Sequence, residues 1–177
     1  VAGERTTLDY AYPGDVIGVI NPDIFAIGDT ISVSGGFNFK PLPQFQPEIF
    51  AKLTPKDVGK RKSFDKGVLQ LINEGAIQML RQSTHDGDLI FAAVGQLQFE
   101  VMQYRLKDEY SCETLFYPLP YQCSAWIIGD MSTYVKSTSS VIVEDRQGRP
   151  MALFNSQWDK QYNMKQNPKH ELVDVLV

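Results

Sequence analysis

"DLIFAAVGQLQFEVMQYRLKDEY", residues 88–110, changes its period partway along. The first eight residues are a mostly apolar run of strand length ending in glycine. From Gln96 onward, Phe99, Met102, Leu106 and Tyr110 recur at three- and four-residue spacings, one stripe of an amphipathic helix. A buried strand feeding directly into a helix is half of an α/β packing unit. The flanking sequence decides which fold completes it.

Upstream, Phe64, Val68, Leu71, Ile72, Gly75, Met79 and Leu80 fall at helical spacing, which predicts one helix over 64–81. Ser63 is the expected N-cap, with Asp65 in the first turn and Arg81 in the last, as the helix dipole prefers. Gly75 inside that helix would cost about 1 kcal/mol relative to alanine, offset by close approach of the helix to a sheet. Residues 46–53 (QPEIFAKL) read as a strand before it. Downstream, "CETLFYPL" and "QCSAWII" read as strands separated by Pro118 and Pro120. The order β-α-β-α-β from 46 to 128 predicts a two-layer α/β sandwich of the split-βαβ kind. A hairpin over "SVIVEDRQGRPMALF", turning at Asp145–Gly148, a polar helix over 156–166 and a last strand "ELVDVLV" follow. The expected class is α+β, with residues 46–177 as one domain.

Residues 16–20 and 30–34 read as strands punctuated by turns at Pro13-Gly14 and Pro22-Asp23. Residues 37–45 read as a linker that Phe37, Phe39 and Phe45 pack down. Residues 1–36 are then a short all-β piece of their own. The chain lacks a starting Met, which predicts a processed or excised piece.

The composition is that of a globular protein: 177 residues, 43% hydrophobic and 21% charged. No apolar run approaches the length of a membrane span, and "VAGERTTLDY" has neither the basic nor the apolar region of a signal peptide. Cys112 and Cys123 are too few for a disulfide framework and read as reduced thiols of a cytoplasmic protein. The net charge of −4 argues against a freely diffusing nucleic-acid binder. That charge is unevenly spread. Residues 52–66, "KLTPKDVGKRKSFDK", hold 6 basic and 2 acidic side chains on an otherwise neutral or acidic chain.

Little in the sequence is reactive. Neither G-x-x-x-x-G-K-[ST] nor G-x-G-x-x-G occurs, so no phosphate loop and no nucleotide hydrolysis by this chain are expected. D-x-x-G occurs at 15–18 and 145–148, and both read as turns. His85 with Asp86 and Asp88 would offer an acid, a base and a flexible loop to a small hydrolase. Their setting "STHDGD" between a predicted helix and strand is ordinary turn composition, with no nucleophile beside it. No metal-ligand spacing and no cofactor motif is present. Lys60, Arg61 and Lys62 are the site-like residues: cations placed against the helix dipole, beside free backbone N–H groups, suit a phosphate backbone. A solvated loop with no ligand explains the same residues.

"AYPGDVIGVINPDIFAIGDTIS" resembles the final strands of the second domain of translational GTPases. "PLPQFQPEIFAKL", "KSFDKGVLQLINEGAIQML" and "LIFAAVGQLQFEVMQYRLKDEY" resemble the third domain of the bacterial class II release factors, the peptide chain release factor 3 family, and the resemblance as a whole covers about residues 9–173. The resemblance implies a C-terminal fragment: the end of a β-barrel, residues 1–36, and a complete third domain. It implies a parent that hydrolyses GTP with Mg in a domain this chain lacks. That parent would act on the small ribosomal subunit in the cytoplasm and recycle class I release factors after peptide release. The partners implied are the ribosome, those factors through the complex, and the parent's own GTPase domain, with no membrane. Lys60, Arg61, Lys62 and Lys66 become candidates to face the ribosome. A stand-alone RNA-binding module, or the matching part of an elongation or ribosomal-protection factor, are the alternatives.

Overall fold

The computed structural model describes residues 7–20, 24–25, 27–40, 44–75, 77–82 and 89–176. In chain order the elements are β1 (Gln44–Phe45), β2 (Ile49–Pro55), α1 (Arg61–Asn73), β3 (Gln78–Gln82), β4 (Leu89–Ala93), α2 (Gln96–Tyr110) and β5 (Thr114–Pro118). They continue as β6 (Cys123–Ile128), β7 (Val141–Glu144), β8 (Pro150–Phe154), α3 (Gln157–Gln166), β9 (Glu171–Val173) and β10 (Val175–Leu176). Eight strands form one antiparallel sheet in the order β5-β2-β4-β3-β7-β8-β6-β9. The α+β class expected from the sequence is the one that forms.

The expected helix over 64–81 is two elements. Gly75 adopts φ +73° and its N–H bonds the Ile72 carbonyl at 2.9 Å, the left-handed stop that ends α1. The chain then returns as β3, pairing Met79 with Phe91 and Leu80 with Ile90. Met79 and Leu80, adjacent in sequence, face two different cores, which a strand allows because its side chains alternate. Arg81 therefore lies on β3, opposite Leu89 and Glu144. The helix also starts earlier than Ser63. Asp57 caps a 3-10 turn, Val58–Lys60, by accepting from Gly59 N at 2.8 Å, and α1 follows directly.

With β3 counted, residues 49–118 run β-α-β-β-α-β in the spatial order β5-β2-β4-β3, the split-βαβ arrangement. α1 and α2 cover one face. Phe64, Val68 and Leu71 of α1 meet Phe99, Met102 and Leu106 of α2 over Leu53 and Phe91 of the sheet. Each such side chain stabilises the fold by about 1.5–3 kcal/mol on burial. Gly67 is the glycine that lets the helices approach: a Cβ there would lie 2.6 Å from Leu106 Cδ2.

The sheet curls rather than ending. Phe50, Leu80 and Ile90 from its first half share a core with Trp126, Val143, Met151 and Leu153 from its second. Beyond that second half, α3 and Met131 and Tyr134 cover Cys123, Ala125, Ile127, Ala152 and Phe154. The curl closes where Gln46 N bonds the Asp174 carbonyl at 2.9 Å and Ser124 Oγ bonds the Pro47 carbonyl at 2.9 Å. There β1 pairs with β10, Gln44 opposite Leu176.

Neither 16–20 nor 30–34 is a strand. A strand is stable only with a paired ladder and a buried face, and Val16 is 100% exposed. The Pro13-Gly14 turn does form: Asp15 N bonds the Tyr12 carbonyl at 3.0 Å and Gly14 has φ +97°. The turn expected at Pro22-Asp23 lies outside the described residues. Phe37 and Phe39 pack edge-to-face on each other and stay exposed, as does Phe45.

Candidate functional site

α1 begins on a bare turn. Lys60 ends the 3-10 segment and stands at the N-cap of α1 without a side-chain cap bond, and no acid occupies the first turn. Lys60, Arg61, Lys62 and Lys66 are all exposed. The two acids of the stretch do local work. Asp57 caps its own turn, and Asp65 accepts from Arg61 Nε at 3.0 Å, while the Arg61 guanidinium sits 5.7 Å from the Phe64 ring centre. That ion pair is exposed on both sides and contributes below about 1 kcal/mol. Lys62 and Lys66, one helical turn apart, make no ion pair among the described residues.

A second group extends the positive edge. Lys56 and Lys107 both pair with Glu113, at 3.0 and 3.1 Å, and the two ammonium groups hold its carboxyl below the usual range. Two cations on one anion leave a net positive charge. A shallow groove of 260 Å³ opens here between Lys56, Gln103, Tyr104, Lys107, Glu113 and Thr114. The structure thus brings Lys60, Arg61, Lys62 and Lys66 to the exposed start of α1, and adds Lys56 and Lys107. Sequence reasoning missed Lys107 because it reaches the edge from the end of another helix.

The other sequence candidates resolve differently. Asp145 of the second D-x-x-G accepts Gln147 N and Arg149 N, both at 2.9 Å, with Arg149 Nε at 2.6 Å and Trp126 Nε1 at 3.1 Å. Its carboxylate is committed to its own turn. Asp15 of the first accepts Tyr12 N at 2.8 Å. Cys112 and Cys123 are free and buried, and burial pushes both thiols up, away from the reactive thiolate. His85, Asp86 and Asp88 lie outside the described residues. Among the described residues, no group of three or more His, Cys, Asp and Glu side chains is placed to hold a metal ion. No helix among them is long and apolar enough to cross a membrane.

A larger cleft of 620 Å³ lies between the end of α1, β3 and the turn joining β7 to β8. Ile27, Gly28 and Asp29 form part of its wall, and its two arginines are engaged: Arg146 with Asn73, Arg149 with Asp145 and Gln44. It is a seam of the chain with itself.

The family model described as Class II release factor RF3, C-terminal domain, matches residues 39–164. Peptide chain release factor 3 of Nostoc punctiforme is 44% identical over 176 residues, covering 97% of this chain and 32% of that protein. The same-named protein of Microcystis aeruginosa is 42% identical over 178 residues, covering 98% of this chain and 33% of its own. That of Synechocystis is 44% identical over 162 residues, covering 89% and 30%. The chain spans about a third of the length of these curated relatives.

Proposed function

The chain belongs to the class II release factor RF3 family, through that family's C-terminal domain, and from this we propose that it is a ribosome-binding portion of a translation-termination GTPase. The parent would promote recycling of class I release factors after peptide release, in the cytoplasm. Residues 1–36 would be the end of a preceding β-barrel domain. The contact would fall on the small ribosomal subunit, with Lys60, Lys62 and Lys66 facing rRNA phosphates and Arg61 held beside them. The observation that carries this reading is the exposed, uncompensated charge at the start of α1. Cations there oppose the helix dipole, so an anionic partner would relieve a local cost.

In this proposal GTP and its Mg belong to another part of the parent. The Asp145 and Asp15 carboxylates are already taken by their own turns, and the sequence has no phosphate loop. Both observations support that reading. A free-standing RNA-binding module is the weaker reading, given the net charge of −4 and the family match.

Co-sedimentation with purified small ribosomal subunits across a salt series tests the proposal. The expected result is salt-dependent binding that Lys60→Glu/Lys62→Glu/Lys66→Glu abolishes. Each single lysine change should flatten the log–log salt slope by roughly 0.7–0.9. Binding indifferent to all three changes overturns the assignment of the site.

A further inference from the structure

We propose that the solvent face of α3 is a stacking platform for an unpaired base of single-stranded RNA, with Trp158 as the receiving ring. Trp158 is 72% exposed and Tyr162, one turn later, 43%. Their rings stack at 5.6 Å between centres and 13° between planes. Neither ring belongs to a buried core. The opposite face of α3 anchors the helix through Asp159, Lys160 and Asn163. Tyr162 covers one side of the indole and fixes its orientation, leaving a flat aromatic surface open to water.

The charge around the rings selects the partner. The sole acid on α3, Asp159, is buried and accepts the Ser137 hydroxyl at 2.8 Å. The exposed neighbours are Gln157, Gln161, Lys165 and Gln166, and Lys169 follows the helix. Lys165 falls seven residues after Trp158, two helical turns along the same stripe. A neutral-to-positive rim around an open ring suits a polyanion that also brings π faces, and base–aromatic stacking tolerates any sequence. Bases in a duplex have both faces covered, so the strand must be single. A protein hot spot would need an apolar surround to exclude water, and Met164 is the only other exposed apolar side chain on this helix. The platform does not rest on the lysine cluster of α1, which lies on the far outer face of the curled sheet. Only the choice of RNA over DNA draws on the family.

The chain carries its own probe. Of its two tryptophans, Trp126 is 1% exposed and Trp158 is open. Titrating the 177-residue chain with single-stranded RNA of roughly twelve nucleotides should quench the Trp158 emission. Heparin, a polyanion without bases, should not quench it. By anisotropy of the same RNA carrying a dye, Trp158→Ala should weaken binding about tenfold and Trp158→Phe much less. Lys62→Glu should leave the quenching in place. No quenching by RNA, equal quenching by heparin, wild-type affinity in Trp158→Ala, or tighter binding of the matching DNA strand would each overturn the proposal.

Discussion

Gly67 and Leu106 set the distance between the two helices that cover the first half of the sheet: a Cβ on Gly67 would lie 2.6 Å from Leu106 Cδ2 and 2.8 Å from Tyr110 Cδ2. Two opposing terms act on a Gly67→Ala change. Helix propensity favours alanine by about 1 kcal/mol. Overpacking at a tight crossing costs about 1–3 kcal/mol. The backbone of α1 cannot withdraw without unpacking Phe64 and Leu71, so the second should win. Urea unfolding should show a lower midpoint at unchanged slope, and Leu106→Ala in the same background should recover part of the loss.

Arg105 ties α1 to α2. It donates to Glu74 across the helices and to Glu109 on its own, the latter at 2.6 Å. The hydrogen bond from Arg105 holds the Glu74 carboxyl below its usual value, and it does the same for Glu109. A depressed carboxylate stabilises the fold above its unfolded value, near 4.5, and loses that contribution as pH falls through the folded value. The groups are partly exposed to solvent, which screens the pairs, so Arg105→Ala should cost about 1 kcal/mol or less at pH 7. The difference between wild type and variant should shrink below about pH 4.5, as read by thermal unfolding at several pH values.

Tyr134 is held neutral by burial, with the Asp159 charge adding to the effect, and its phenol is pushed up to about 12. Its hydroxyl and Asp159 Oδ2 are buried with no hydrogen-bond partner among the described residues. A raised phenol contributes stability below the unfolded value near 10, which is lost as pH rises through about 12. Ultraviolet titration should show one tyrosine ionising well after the others. Removing an unpartnered buried hydroxyl relieves its desolvation cost. Tyr134→Phe should therefore be neutral or stabilising by up to about 1 kcal/mol, and it should delete the late step.

Lys160 is buried and reaches both the Ser124 carbonyl, at 3.2 Å, and the Asp174 carboxylate. It joins α3, β6 and the junction of β9 with β10 at the point where the sheet closes. Lys160→Met keeps the stem and removes the charge, leaving a buried carbonyl short of one donor at a cost of about 1–3 kcal/mol. Hydrogen exchange should accelerate first at Gln46, whose N–H bonds the Asp174 carbonyl, and remain slow in β4.

The helix of 96–110 and the hairpin at 145–148 were legible because each has one period and one sharp punctuation. β3 was not, because Met79 and Leu80 fall where the helical stripe through Leu71, Ile72 and Gly75 would continue, and the few residues of the strand show no alternation of their own. Only the positive φ of Gly75 separates helix from strand, and glycine within a helix reads as merely tolerated. The curl of the sheet left no local trace: it depends on Phe50 and Trp126 sharing a core across 76 positions of sequence. The lysines of the candidate site were visible as composition. Lys107 and the Trp158–Tyr162 stack were not, since sequence spacing does not say which side of a helix faces water.

The pairing of Gln44 with Leu176 has a mechanical consequence. Two segments far apart in sequence are thereby latched side by side by a ladder only two residues long, separate from the eight-stranded sheet. Opening that latch would free both segments without unzipping any strand of the larger sheet.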